Sequence, residues 1–442
     1  MISYQIAAAE TMSLALKQAM HELVYRSDKT TTEIAGLQLV LIKNGQIVFE
    51  HAEGFATINP DKTKTPLTIG HKVRIASISK FVLTLAFMSL VDSGQVDLDE
   101  DVSKYLGFSL HNPNFPNRKI TARHVLAHVS SIRDAGKYFL PLGENFQDFF
   151  QPSKYYDNAA HFAVAANQGP GDYFTYSNLN FGIIAGIIEK VSGMRMDVFV
   201  HKTLFNPLNL AISFNVCDFY KDNYSNLATL FRRGDGGDTW DITGPWKPQV
   251  DGNTISCFYG GPHYQRNEIP DLSALDSYQI GKNPTLFSPQ GGLRASARDL
   301  AMLMQVIINN SKNGNPSANQ AVISKTSIDA MLTPVWRYDE SLKNGDTGKG
   351  SMTAYGLSTH IIDLKDWGLS TSSTKLYGHL GSAYGLQGQF WLNPLTGDGL
   401  VAFVTGVGSD PAKPDKTIPL YAIEESVLRL ALKGLTMQRN HN

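Results

Sequence analysis

The start of the chain alternates apolar and polar residues in two distinct ways. Residues 10–24 place apolar side chains among polar neighbours at helical spacing, which predicts an amphipathic helix. Two β-rich runs then flank Asn44 and Gly45, a pair that favours a tight turn because both central residues of a type I′ turn need positive φ. A helix followed by a β-hairpin is therefore predicted here.

The far end of the chain mirrors this pattern. Residues 385–394 and 399–408 are strand-like runs joined by a turn rich in Pro and Gly. Residues 418–432 then carry apolar side chains at helical spacing. A second hairpin and a final helix are predicted from these runs.

The middle of the chain differs, because helical patterns and loops rich in Gly, Pro and Asn dominate it. We therefore predict an α+β fold, in which one antiparallel sheet is built from both chain ends, flanked by helices, and a mostly helical lobe is inserted. The sheet lobe would comprise residues 1–95 and 290–442, and the insertion residues 96–289. Within the insertion, the aromatic-rich residues 215–288 form a long loop. Such a loop could be either a substrate-pocket wall or a small hydrophobic core of its own.

Composition narrows the classes of partner. The 442 residues include 39 Lys and Arg and 40 Asp and Glu, and no long block of like charge occurs. This balance gives no reason to expect a nucleic acid or an anionic membrane as partner. The two cysteines, Cys217 and Cys257, do not form a C-x-x-C, so metal or redox chemistry through sulfur is not expected and a disulfide between them stays open. No cofactor or metal ion is predicted.

The sequence also bears on localisation. Its N-terminus lacks the basic start and the continuous apolar stretch of a signal peptide. The longest apolar-dominated run, residues 81–91, is far shorter than the roughly 18 residues of a membrane span. We expect a soluble protein, cytoplasmic as the sequence stands, or periplasmic or secreted if a signal peptide was removed. The oligomeric state stays open.

The most informative segment is residues 74–94. From Ile78 onward it has apolar residues on every side, which is typical of a buried helix, and Gly94 ends it. Ser77 and Lys80 lie three residues apart in its first turn and so share a face. Burial lowers the pKa of a lysine and makes it a usable base beside a hydroxyl, while a helix N-terminus offers backbone N–H groups to a developing oxyanion. Ser77 is therefore predicted to be a nucleophile and Lys80 its base.

Two further motifs have more than one copy. A second S-x-x-K runs from Ser372 to Lys375, but it lies in a polar run without a helix to position either side chain. Y-x-N begins at Tyr156, Tyr176 and Tyr224. The copy at Tyr176 lies in a loop just before an apolar helical run, a place that presents side chains to a cleft. Tyr176 is therefore predicted to move protons, although a helix cap beside a half-buried tyrosine would explain any single copy.

A third element is the run Gly-His-Leu-Gly-Ser at residues 378–382, on a predicted strand. Glycine on an edge strand lets a substrate approach the backbone closely. We predict that Gly381 provides this approach and that the backbone N–H of Ser382 is an oxyanion donor. A lone histidine is more often structural than catalytic, and His379 gains its place in the predicted site only from its order along the chain.

Taken together, these segments resemble the serine β-lactamase-related family, which includes class C β-lactamases, D-Ala-D-Ala carboxypeptidases, D-aminopeptidases and esterases. The resemblance spans roughly residues 35 to 405. It rests on residues 73–106, 120–132, 170–193, 288–304 and 377–385.

The resemblance implies a role for each residue. Ser77 would attack a carbonyl carbon and Lys80 would accept or hold its proton. Tyr176 would act as a phenolate or as a proton shuttle to the leaving group, and Asn178 would hydrogen-bond the substrate's amide or carbonyl. The backbone N–H groups of Ser77 and Ser382 would form the oxyanion hole. Water would later hydrolyse the acyl-enzyme.

Two departures from the family pattern concern the substrate. Tyr176 begins Y-S-N where class A enzymes carry S-D-N, which places the chain nearer the class C branch. His379 begins H-L-G where β-lactamases and carboxypeptidases usually carry K-T-G. Because histidine is mostly neutral at pH 7, this weakens the case for penicillins and for peptides with a free C-terminus. H-x-G resembles the esterase and D-aminopeptidase branches.

The sequence thus predicts a serine hydrolase acting on small ester, amide or peptide substrates, more like an esterase than a true β-lactamase. The alternatives are a D-amino-acid-specific peptidase or amidase, a penicillin-binding carboxypeptidase, and a catalytically silent binding protein of the same fold. The intact set of Ser77, Lys80, Tyr176 and His379 argues against silence, because an inactive scaffold has no reason to keep a buried lysine.

Overall fold

Blocks of helix and strand alternate along the chain. The computed structural model describes residues 2–25, 33–59, 61–222, 224–234, 240–249, 251–252, 258–259, 273–313, 322–410 and 418–437. The α-helices are α1 (Ile2–Val24), α2 (Ile78–Asp92), α3 (Ser103–Leu106), α4 (Ala122–Leu126), α5 (Leu179–Ser192), α6 (Met196–Val200), α7 (Ser273–Asp276), α8 (Ala297–Asn313), α9 (Lys325–Leu332) and α10 (Ala422–Met437). The strands are β1 (Gly36–Lys43), β2 (Gln46–Ile58), β3 (Lys64–Pro66), β4 (Val73–Arg74), β5 (Phe231–Arg233), β6 (Trp246–Pro248), β7 (Asp251–Gly252), β8 (Phe258–Tyr259), β9 (Arg294–Ala295), β10 (Trp336–Arg337), β11 (Ala354–Tyr355), β12 (His360–Asp363), β13 (Lys375–Ala383), β14 (Leu386–Asn393), β15 (Asp398–Val404) and β16 (Gly406–Val407).

One antiparallel sheet joins strands from the two ends of the chain. Its order is β10-β11-β12-β13-β14-β15-β1-β2-β3. Strand β1 pairs with β2 on one side and with β15 on the other, where Leu37 lies opposite Val404. Asn44 and Gly45 have φ of 50° and 80°, as a type I′ turn requires, and the predicted N-terminal hairpin is confirmed.

The centre of this sheet is covered on both faces. Every residue of β1, β14 and β15 is buried. Alternate residues of β1 enter different cores: Leu37, Leu39 and Leu41 pack with α1 and α10, whereas Val40 and Ile42 pack with α2 and α8. A sheet with helices on both faces, plus an inserted region, confirms the predicted α+β class.

Helix α2 has the buried character that its composition predicts. Twelve of its residues are buried, and Gly94 just beyond its end has a φ of 70°. The last helix differs from its prediction, because α10 starts at Ala422. The Glu424 side chain accepts a hydrogen bond from the backbone N–H of Tyr421 and so caps the helix there.

The inserted region contains short strands besides its helices. It contains α3 to α6, but β5 pairs with β6 and, in parallel, with β16 from the far end of the chain. Within residues 215–288, Val216, Phe219 and Tyr224 form part of a small core, and Trp246 packs its ring edge-on against Phe231. The side chains of Phe258 and Tyr259, and all of Tyr264, lie outside the described part.

One of the two cysteines lies in the described part of the chain. Cys217 is disulfide-bonded, while Cys257, the other cysteine of the sequence, lies outside the described residues.

Across the described ranges, no helix is long and apolar enough to cross a bilayer. In the same ranges, no group of three or more His, Cys, Asp and Glu side chains is arranged to hold a metal ion.

Candidate active site

The candidate nucleophile lies on a sharp turn before α2. Ser77 immediately precedes the helix, and Ala76 before it has a φ of 48°, in the left-handed region that non-glycine residues seldom adopt. The N–H groups of Ser79 and Lys80 donate to the carbonyl oxygens of Ala76 and Ser77 and close the turn. Ser77 is half-buried while its neighbours on either side are buried, so this turn presents its side chain at the edge of the core.

Lys80 is fully buried and directly beside Ser77. Its Nζ lies 3.0 Å from Ser77 Oγ, 2.9 Å from Asn178 Oδ1 and 2.9 Å from the carbonyl oxygen of Gln290. Burial lowers the pKa of Lys80 to about 7, and the negative charge of Asp134 offsets part of this shift. An amine with this pKa exists in both protonation states near neutral pH, which is what proton exchange with a hydroxyl requires.

The ring of Tyr176 packs against the Lys80 amine. Its ring centroid is 4.8 Å from Lys80 Nζ, and the ring of His128 stacks on it at 4.3 Å. Burial raises the pKa of the Tyr176 hydroxyl. The Ser77 hydroxyl lies near enough to offset part of this rise, although the two groups do not reach hydrogen-bond geometry. Within the described residues, the Tyr176 oxygen is buried without a hydrogen-bond partner.

A carboxylate holds the residues that follow Tyr176. The Asp134 side chain accepts hydrogen bonds from Ser177 Oγ, Asn178 Nδ2 and the backbone N–H of Leu179, each at 2.9 Å. From the opposite side, His128 Nδ1 accepts the backbone N–H of Ser177 at 3.1 Å. The turn that carries Tyr176 and Asn178 is therefore anchored on both sides at the start of α5.

Strand β13 approaches the nucleophile turn closely. A methyl group placed on Gly381 would lie 2.5 Å from the carbonyl oxygen of Ile75, so only glycine allows this distance. Strand β12 pairs with residues 375–378 of β13, whereas β14 pairs with residues 377–383. The end of β13 that carries Gly381 and Ser382 therefore lies beyond its ladder with β12. The Ser382 N–H as an oxyanion donor stays a prediction.

His379 differs from the expectation of a residue that faces the substrate. It is 1% exposed, and its Nε2 accepts a hydrogen bond from the Tyr355 hydroxyl at 2.8 Å. Its Nδ1–H donates to the backbone oxygen of Leu380. Burial, together with the nearby charge of Lys80, lowers the pKa of His379 to about 3. Both ring nitrogens already have partners in the protein, because the strand turns this side chain into the aromatic core.

The other copies of the motifs lie elsewhere. Ser372 and Lys375 are exposed at the start of β13. Tyr224 packs in the small core with Val216, and Tyr156 leads into a 3-10 turn. Of these three tyrosines, Tyr176 is the one whose ring lies against Lys80.

Sequence reasoning missed four residues of this group: Asp134, His128, Gln290 and Tyr355. Asp134 and His128 lie in or next to the residues 120–132 on which the family resemblance partly rests, but no spacing rule connects them to Tyr176. Gln290 acts through its backbone oxygen, so its residue type carries no signal. Tyr355 lies in a run of small and polar residues, 351–360, which gives no sign that its side chain is buried.

Comparison with known proteins shows the family to which the chain belongs. Residues 16–422 match the family model described as Beta-lactamase. Protein flp of Staphylococcus aureus is 25% identical over 196 residues, which are 44% of this chain and 37% of that protein. The match thus spans well under half the length of that relative.

Two solved structures share the fold over nearly their whole length. EstCE1, a hydrolase with promiscuous acyltransferase activity, has a TM-score of 0.63 at 17% identity, covering 95% of this chain and 99% of that one. A D-amino acid amidase from Ochrobactrum anthropi also has a TM-score of 0.63, at 16% identity, covering 97% of this chain and 99% of that one. At these identities the likeness is one of fold, whereas the family match covers most of the chain. The chain therefore belongs to the Beta-lactamase family of serine hydrolases.

Proposed function

We propose that this protein hydrolyses ester or amide bonds of small acyl substrates through an acyl-Ser77 intermediate. The observation that carries the proposal is the 3.0 Å distance between Lys80 Nζ and Ser77 Oγ, in a setting that lowers the pKa of Lys80 to about 7. An ordinary lysine, with a pKa near 10.4, would be cationic at neutral pH and could not accept the serine proton.

Acylation would begin with transfer of the Ser77 hydroxyl proton to neutral Lys80. As Oγ attacks, the carbonyl π-bond electrons move to oxygen, and backbone N–H groups at Ser77 and Ser382 would stabilise the resulting oxyanion. Collapse of this intermediate breaks the bond to the leaving group. The leaving group takes a proton, and an acyl ester remains on Ser77. Water then repeats the sequence and releases the acid.

Tyr176 suits the proton shuttle better than the phenolate role. Burial raises the pKa of its hydroxyl, so the phenol keeps its proton at neutral pH. Its ring lies against Lys80 and its hydroxyl near Ser77. A neutral phenol in this position can give its proton to the leaving group while it receives one from the Lys80 ammonium. Tyr176 is neutral before and after this relay, and Lys80 returns to its neutral form.

The neutral side chain of His379 favours esters and uncharged amides over penicillins as substrates. A K-T-G enzyme offers a fixed cation to the substrate's carboxylate. Here the corresponding side chain is buried, neutral and bonded to Tyr355. The second candidate is a D-amino-acid amidase, because an enzyme of that kind shares the fold. The amine that leaves an amide must take up a proton, and the neutral phenol of Tyr176 can give one.

Active-site labelling tests the reaction type. A fluorophosphonate probe should modify the protein, and mass spectrometry should place the adduct on the peptide containing Ser77. Ser77→Ala should abolish labelling, whereas the matched change Ser372→Ala should leave it intact. An adduct on Ser372, or no adduct on folded protein, would contradict the proposal.

Substrate comparison tests the finer assignment. We expect turnover of p-nitrophenyl acetate and butyrate, and slow or no turnover of nitrocefin and benzylpenicillin. Preference for D-alanyl amides with a free amino group over these esters would select the amidase instead. Efficient nitrocefin turnover would exclude both assignments in favour of a β-lactamase.

A further inference from the structure

Asp134 makes a set of contacts that no role assigned so far explains. Its two carboxylate oxygens accept three hydrogen bonds, from the Ser177 hydroxyl, the Asn178 side-chain amide and the Leu179 backbone N–H. These donors are consecutive residues at the start of α5. A carboxylate at a helix N-terminus is favoured by the helix dipole, and here it also binds the side chain that contacts Lys80.

The contact with Asn178 fixes the direction of that amide. A carboxylate only accepts hydrogen bonds, so the Asn178 group facing Asp134 must be its NH₂. The Asn178 oxygen is then turned to Lys80, whose Nζ lies 2.9 Å away. With Gln290 O, also at 2.9 Å, Lys80 has two obligate acceptors, and its third neighbour is the Ser77 hydroxyl at 3.0 Å.

This arrangement suits both protonation states of the lysine. Neutral Lys80 has two N–H groups, for Asn178 and Gln290, and one lone pair, which is left to face the Ser77 hydroxyl. After it accepts the serine proton, the ammonium has three donors for the same three acceptors. No partner has to move during the transfer.

We propose that Asp134 is a positioning residue for acylation, because it turns the Asn178 oxygen to Lys80 and supplies the negative charge that balances the protonated lysine. This inference rests on the proposed function. Asp134 touches no reacting atom and acts through Asn178 and through its charge.

The surroundings of Lys80 make Asp134 the important charge. The other titratable groups that act on or face Lys80 are His128, His379 and Tyr176. Burial holds the pKa of both histidines well below the ordinary value and raises that of Tyr176, so all three are neutral near pH 7. Asp134 is the group whose charge raises the pKa of Lys80 against the effect of burial.

The test compares two carboxylate-to-amide variants in the full-length protein. Asp134→Asn removes the charge and places an NH₂ against the Asn178 NH₂. The matched control is Asp346→Asn. Asp346 also holds the loop that leads to Tyr176, because it accepts hydrogen bonds from the hydroxyls of Tyr173 and Thr175. The measurement is the pH dependence of kcat/KM for p-nitrophenyl acetate, with fluorophosphonate labelling rates as a second readout.

Loss of the Asp134 charge should lower the pKa of Lys80. Because the neutral amine is the active form, the rise of activity with pH should move to lower pH, by roughly one unit. The plateau rate should fall on the order of 10²-fold, because the base is no longer held in place. Asp346→Asn should leave the position of this rise unchanged, and Asp134→Glu should restore it with a lower plateau.

The inference is overturned if Asp134→Asn lowers the rate but leaves unchanged the pH at which activity rises. It is also overturned if Asp346→Asn shifts that pH by the same amount. Circular dichroism and thermal melting check that each variant folds, and Asp134→Ser replaces the amide variant if that one does not. Failure of the proposed function looks different, since unmodified protein would then not be labelled at Ser77.

Discussion

The two sides of Lys80 handle charge in opposite ways. On the Asp134 side, formed by Asp134, Ser177 and Asn178, a half-buried carboxylate accepts hydrogen bonds from three donors. On the histidine side, formed by His379, Tyr355 and His128, every titratable group is fully buried among aromatic rings.

This difference separates the group that titrates from those that do not. Burial, together with the nearby charge of Lys80, lowers the pKa of His379 to about 3 and keeps that of His128 well below its ordinary value, so neither ring is charged near neutrality. Lys80 is equally buried, but its ordinary pKa is near 10.4 and the charge of Asp134 opposes the effect of burial, so its pKa is about 7. Histidine is the usual switch at physiological pH, yet here the lysine takes that place.

The largest effect is expected when the proton-transfer pair at the boundary of the two sides is broken. Lys80→Ala and Tyr176→Phe should each lower kcat/KM for p-nitrophenyl acetate by about 10³-fold or more. The double variant should be little worse than either, because the two residues serve one proton pathway. Lys375→Ala, in the exposed S-x-x-K, should retain activity. Losses that multiply in the double variant would show two independent roles.

A smaller effect is expected on stability, and its sign follows from the pKa of Lys80. The unfolded chain holds this proton up to its ordinary pKa near 10.4, whereas the folded protein releases it at about 7. Between these values the unfolded state binds more protons, so wild-type stability gains with rising pH. Between pH 7 and pH 10, the free energy of unfolding of Lys80→Met should therefore exceed that of wild type by the largest amount at pH 7.

Urea unfolding of both proteins at pH 7, 8, 9 and 10 measures this difference. The advantage of Lys80→Met over wild type should shrink steadily across the series, whatever its value at pH 7. Both proteins keep the buried tyrosines, so their titration largely cancels in the comparison. A difference that is constant with pH would show that Lys80 has an ordinary pKa in the folded protein.

The smallest effect is expected on the histidine side. Tyr355→Phe leaves His379 Nε2 without its donor and should lower the free energy of unfolding by about 1–3 kcal/mol. The rise of activity with pH should stay where it is, because no charge is altered. Tyr377→Phe, on the same strand as His379, is the control. A shifted rise in Tyr355→Phe would show that the histidine side also sets the pKa of Lys80.

Local sequence patterns predicted the parts of the fold that local physics decides. The Asn44–Gly45 turn, the buried helix α2 and the spacing of Ser77 and Lys80 all follow from residue type and period. The association of β5 with β16 could not be predicted, because it joins short strands far apart in sequence.

The site shows the same limit. Asp134 reaches Asn178 only because the chain folds back across 44 positions, and no motif spacing encodes that approach. The burial of His379 depends on which face of β13 meets the aromatic core, and a strand pattern with Gly378 before His379 and Leu380 after it does not decide that face. Residue identity therefore suggested the chemistry, while tertiary packing decided the charge of each group.

The pairing of β1 with β15 has a consequence for biosynthesis. Strand β1 leaves the ribosome early, but its neighbour β15 lies near the far end of the chain. The partner of its buried Lys43, Asp398, is 355 residues away. Until they are translated, the nascent hairpin exposes an unpaired apolar edge, the kind of surface that invites aggregation and chaperone binding. Strand β13, which approaches the nucleophile turn, is translated equally late. A stalled nascent chain would therefore carry Ser77 and Lys80 without a working catalytic centre.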